Sequence, residues 1–127
     1  MGPTNPRRSV LLCDDLAPIR ALLRDEINDQ PGLQVVGEAR DGEEAIRQAQ
    51  QLQPDVILLD LAMPVLTGLE ALPELRRVAP QARIVVYSGF ARAVVGAEIL
   101  AAGADAYVEK GANMNSILAE LNSLELS

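Results

Sequence analysis

The run Asp55-Val56-Ile57-Leu58-Leu59-Asp60-Leu61-Ala62-Met63-Pro64 delivers a single carboxylate, Asp60, at the end of an apolar stretch too short for a helix. Two further acids, Asp14-Asp15, close a similar run from Ser9 to Cys13, and Ser88 and Lys110 stand just beyond two others. Carboxylates brought together repel by about 4 kcal/mol per close pair at an effective dielectric near 20. Lys110 can neutralise one of them. The remaining deficit calls for a hard cation with oxygen ligands, and Mg²⁺ fits. A carboxylate beside such a cation can attack phosphorus and become an acyl phosphate, while Lys110 and the Ser88 hydroxyl hold the other oxygens of the transferred group. Taken singly, each residue reads more readily as a helix cap, a turn residue or a solvated charge than as a reacting group. Only their gathering makes a site.

The pattern along the chain is expected to gather them. Residues 1–8, with Gly2, Pro3 and Pro6, read as a flexible tail, and 9–127 as one domain. After the first strand, Ile19, Leu22, Leu23 and Ile27 recur at helical spacing, with Asp15 as the expected N-cap and Pro18 in the first turn. Leu33 to Ala39 reads as strand two, and Asp41-Gly42 turns into a helix carrying Ala45, Ile46, Ala49 and Leu52. Strand three ends at Asp60, and Thr67-Gly68 opens a helix that Pro73 should loosen. Ala82 to Tyr87 is the fourth strand. A small-residue helix from about Ala91 to Ala102 stops at Gly103, Asp105 to Val108 is the fifth strand, and Asn113 to Leu124 the last helix. Five strand-helix alternations with short connections predict an α/β fold, a parallel sheet with helices on both faces. Asp14, Asp15, Asp60, Ser88 and Lys110 then share the carboxyl edge, where ligands of open α/β sheets collect.

Composition narrows the chemistry. The chain has 127 residues, a formal charge of −7, no histidine and one cysteine, so zinc and haem sites are excluded and any metal is held by oxygen. Net negative charge argues against direct nucleic-acid binding, and three aromatic residues are too few for a flavin sandwich. No apolar run reaches membrane-spanning length. The lone Cys13, in an apolar run, reads as inert core, and without a signal-like start the expected setting is cytoplasmic.

Val10-Leu11-Leu12-Cys13-Asp14-Asp15, Asp60-Leu61-Ala62-Met63-Pro64, Val86-Tyr87-Ser88-Gly89 and Gly103-Ala104-Asp105-Ala106-Tyr107-Val108-Glu109-Lys110 together resemble the receiver domains of bacterial two-component response regulators. The resemblance covers nearly the whole chain. It implies a flavodoxin-like doubly wound sheet of order 2-1-3-4-5. It also implies that Asp60 accepts a phosphoryl group from a sensor histidine kinase or phosphotransfer protein. Asp15, Asp60 and the Ala62 carbonyl would bind Mg²⁺ directly, and Asp14 chiefly through water. Ser88 and Lys110 would hold phosphoryl oxygens, Tyr107 would turn inward as Ser88 moves, and no classical enzyme activity is implied beyond self-phosphorylation from small donors and self-dephosphorylation. The readout face would be helix 4, strand 5 and helix 5, with Ala93, Val94, Ala97 and Tyr107 facing a partner or a second copy.

Three features depart from the usual pattern. Ala62 offers no polar side chain and Phe90 is bulky, and both would flank the path of an attacking water, so slow self-dephosphorylation is expected. Gly111 follows Lys110 where many relatives carry proline, so a trans bond is expected there. The ending resembles receivers attached to helix-turn-helix DNA-binding domains. No such domain lies in these residues, which leaves a stand-alone regulator and a receiver taken from a longer protein both open. A haloacid dehalogenase-type phosphatase would need a second acid at position 62, and a flavodoxin-type carrier a phosphate loop where Asp14-Asp15 stand. The serious rival is a pseudo-receiver, an interaction module that is never phosphorylated. Its usual mark is a broken acidic site, and none is broken here.

Overall fold

The alternation seen in the sequence folds into five parallel strands and five helices. The structure, a computed structural model, describes residues 7–89, 92–110 and 114–123. In chain order the elements are β1 (Arg8–Cys13), α1 (Ala17–Asn28), β2 (Leu33–Ala39), α2 (Gly42–Leu52), β3 (Val56–Asp60), α3 (Gly68–Val78), β4 (Arg83–Ser88), α4 (Arg92–Ala101), β5 (Ala106–Glu109) and α5 (Met114–Ser123). The sheet order is β2-β1-β3-β4-β5, with every pairing parallel. β3 is central and every one of its residues is buried, which is why its sequence is a continuous apolar run rather than an alternation.

Side chains alternate between two cores. Val10, Leu12, Val56, Leu58, Val85 and Tyr87 lie on the face covered by Leu23 and Ile27 of α1 and by Ile117, Leu118 and Leu121 of α5. Leu11, Ile57, Leu59, Ile84, Val86 and Tyr107 lie on the other, under α2, α3 and Ile99 of α4.

Strand ends differ from expectation by a residue where pairing, not hydropathy, sets them. Arg8 is already in β1, paired with Leu33, and Ser88 still belongs to β4, paired with Glu109. Asp15 does not cap α1: the N-cap is Leu16, with no side-chain cap, and the Leu16 N–H goes to Asp14 instead. Asp41 does cap α2, and Thr67 and Glu70 form a reciprocal capping box on α3, which runs through Pro73 unbroken. Gly103 follows α4 at φ +123°, a conformation open to glycine.

Candidate functional site

Register brings the acids together. Cys13 pairs with Leu59, so Asp14, the next residue, comes level with Asp60, and Asp60 in turn pairs with Tyr87. One row across the carboxyl edge therefore reads Asp14, Asp60, Tyr87. Carboxylate oxygens of Asp14, Asp15 and Asp60 all lie within 4.8 Å of one another. Asp14 and Asp60 are buried, at 0% and 1% exposure, and Asp15 is more open.

The cation expected at this edge is in place. Lys110 Nζ stands 3.1 Å from Asp60 Oδ2 and 3.9 Å from Asp14 Oδ2, so it lies against both buried acids rather than neutralising one alone. The Lys110 N–H donates to the Ser88 carbonyl at 2.6 Å, which ties the β5 end to the β4 end. The Ala62 N–H donates to Asp60 Oδ1 at 3.1 Å. Burial pushes the Asp60 carboxyl above its ordinary range, with nearby Asp14 adding to the rise. The Ala62 N–H and Lys110 pull the other way without cancelling it. Ser88 is buried beside this row.

Three residues take positions that the sequence did not disclose or that differ from expectation. The Tyr87 hydroxyl donates to Asp14 Oδ2, and its ring lies 5.1 Å from Lys110 Nζ, yet in the sequence Tyr87 is only the last residue of an apolar strand. Aligning the strands by register would have found it. Arg20 of α1 donates to the Asp14 carbonyl at 2.7 Å and pairs with Glu38 at 3.3 Å, so a second cation supports this corner through the main chain. Tyr107, expected to face a partner, is 5% exposed and packed in the core on the α4 side, because its strand position shares the parity of Val86. Ala97 is exposed, whereas the side chains of Ala93 and Val94, together with Phe90 and the Lys110–Gly111 bond, lie outside the described residues. Cys13 is fully buried, and burial raises its thiol well above the ordinary range, in keeping with an inert core residue.

The donor set suits a hard cation. It offers three carboxylates converging from two strand ends, with no histidine in the chain and the cysteine thiol enclosed. Among the described residues, the Asp15 carboxylate takes no hydrogen bond from any protein donor. No helix among them is long and apolar enough to cross a membrane.

Comparison with known proteins agrees with this geometry. A family model for the response regulator receiver domain matches residues 10–122. Chemotaxis protein CheY of Thermotoga maritima is 32% identical over 117 residues, which cover 92% of this chain and 97% of CheY. The chain spans about half the length of the curated relatives GacA and NarL, at 49% and 53%. Among solved structures, a LuxR-family two-component response regulator from Aurantimonas sp. SI85-9A1 superposes with a TM-score of 0.87 at 29% identity, over 92% of this chain and 84% of that one. A response regulator from Burkholderia pseudomallei, solved with a phosphorylated aspartic acid, calcium ion and citrate, gives 0.80 at 28% identity, over 91% and 67%. With the sheet order, the acidic cluster and the lysine all in place, the chain belongs to the response regulator receiver domain family of two-component systems.

Proposed function

We propose that this protein is a phosphoacceptor switch in which Asp60 takes a phosphoryl group from a histidine kinase or phosphotransfer protein. The observation that carries the reading is the placement of Asp60: buried, 3.1 Å from Lys110 Nζ, and within 4.8 Å of two other carboxylates. An Asp60 oxygen attacks phosphorus, the P–O or P–N bond to the donor breaks, and the donor leaves with its electron pair. Bound Mg²⁺ would neutralise charge on the phosphoryl oxygens. Asp15, Asp60 and the Ala62 carbonyl would hold it, with Asp14 acting through water. Lys110 and the Ser88 hydroxyl bind the remaining oxygens. With no histidine among these 127 residues, a phosphohistidine donor lies outside them, and a small phosphodonor is the other source. The phosphorylated aspartic acid and cation in the Burkholderia relative support the assignment.

Switching is a population shift. Moving a two-state equilibrium from 1:99 to 99:1 takes about 5.5 kcal/mol of differential interaction, within reach of a few charge-assisted hydrogen bonds from Ser88 and Lys110. The readout lies on α4, β5 and α5, toward a second copy or an output module such as a DNA-binding domain. Ala62, with no polar side chain, leaves the attacking water unguided, so the acyl phosphate is long-lived.

Incubation of the full chain with Mg²⁺ and acetyl phosphate, followed by intact mass measurement, tests the reading. One phosphoryl adduct on wild type and none on Asp60→Asn is the expected result. No adduct on wild type, from acetyl phosphate or from a histidine kinase, would leave a pseudo-receiver instead.

A further inference from the structure

Tyr87 touches both signs of charge in the notch without belonging to the acid-lysine set. Its hydroxyl donates to Asp14 Oδ2, and its ring faces Lys110 with Nζ 5.1 Å from the centroid. The other Asp14 oxygen accepts the Leu16 N–H at 2.8 Å. Both oxygens of this fully buried carboxylate are therefore held by protein donors, while the Asp15 carboxylate, among the described residues, is held by none. Tyr87 is itself 2% exposed, so its hydroxyl has no bulk water to turn to and is committed to Asp14.

Resting on the reading of the notch as a Mg²⁺ site, we infer that Tyr87 is a positioning residue that sets cation affinity: its hydroxyl occupies Asp14 Oδ2, steadies the cation-free notch and holds Mg²⁺ binding down. A buried carboxylate without a donor is costly, so the phenol stabilises Asp14 most when no cation is near. A bound cation and its water shell do the same work, which makes the hydroxyl partly redundant. The hydroxyl and the cation are thus negatively coupled through one oxygen, and coupling is reciprocal: what the hydroxyl gives the cation-free state it withholds from the bound state. The ring contributes separately, by its contact with Lys110.

Tyr87→Phe keeps the ring and removes only the hydroxyl. In calorimetric titration of the full chain with MgCl₂, this variant should bind about three- to tenfold more tightly than wild type, a fraction of one charge-assisted hydrogen bond. Thermal melts should show it less stable than wild type without Mg²⁺, with the gap narrowing at saturation. A purely structural hydroxyl would give the same gap at every Mg²⁺ concentration. Site-specific 3-fluorotyrosine at position 87, a stronger donor in a fold-preserving ring, should weaken Mg²⁺ binding. Equal or weaker affinity in Y87F, or tighter affinity with 3-fluorotyrosine, overturns the inference while leaving the metal site standing. Absence of Mg²⁺ binding to wild type would overturn both.

Discussion

Val65 is a β-branched residue held where β-branched residues are rarely found. Its φ is +67°, and the Leu66 N–H closes back on the Pro64 carbonyl at 2.7 Å, so Val65 is the centre of a tight three-residue turn of the strained, positive-φ kind. Backbone strain of this sort costs about 1–3 kcal/mol. Val65→Gly removes it but adds about 0.5–1 kcal/mol of unfolded-chain entropy. Because the side chain is 73% exposed, truncation forfeits only about 0.5 kcal/mol of burial. At the middle of each range the balance is a gain of about 0.75 kcal/mol, or about 3 °C in Tm. Urea unfolding should show a higher midpoint at unchanged slope. Val65→Ala keeps a Cβ on the strained backbone and should stay within about 0.5 kcal/mol of wild type. A Gly variant less stable than wild type would refute the reasoning, since it would mean that the turn is held by the valine side chain rather than in spite of it.

The start of α3, just beyond this turn, supplies three further tests. Thr67→Ala removes the α3 cap and should cost about 1 kcal/mol by urea unfolding at neutral pH. Glu70 is held below the ordinary glutamate range by the Thr67 N–H and hydroxyl. Its charge therefore stabilises the fold fully above that ordinary range, and the contribution disappears as pH falls through the lowered native value. The stability gap between wild type and Glu70→Gln should close over that acid window and stay constant above it. Gly68→Ala places a Cβ 2.3 Å from the Asp60 carbonyl oxygen and 2.8 Å from Leu61 Cα, both main-chain atoms that must shift. A loss of about 1–3 kcal/mol together with a smaller Mg²⁺-induced rise in Tm is expected, because the displaced backbone is that of Asp60, one of the three clustered carboxylates.

Asp60 and Asp14 were legible in the sequence because each ends an apolar run, and a polar residue that interrupts a buried strand marks its end. The fold followed from the same runs, since five short ones separated by helical spacing leave few topologies. Boundaries slipped at Arg8 and Ser88, whose polar side chains hide the fact that their backbones are paired to neighbouring strands. Tyr87 and Arg20 were missed for a different reason. Tyr87 acts on Asp14 from two strands away and Arg20 on its main-chain carbonyl from the next helix, and hydropathy sees Tyr87 only as apolar filling and Arg20 only as a helix charge. For Tyr87, register carries the missing information: once Asp60 pairs with Tyr87 and Asp14 comes level with Asp60, all three side chains share one face and the phenol is placed within reach of the acid on the strand beyond.

Strand parity also separates the two halves of the proposed switch. Asp14 and Tyr87 follow the parity of Leu12 and Val85 and so belong to the side packed by α1 and α5, whereas Ser88 and Tyr107 follow Val86 on the side packed by α4. Lys110 reaches between them, its Nζ against Asp60 and Asp14 and its N–H on the Ser88 carbonyl. A phosphoryl group on Asp60 that draws Lys110 and the Ser88 hydroxyl toward its oxygens must loosen the lysine from Asp14 and the Tyr87 ring while it pulls on the α4 side. In the proposed switch, cation binding and readout would then be coupled through this lysine. Changes at Tyr87 should accordingly alter metal affinity more than they alter the buried packing of Tyr107, whereas changes at Ser88 should do the reverse.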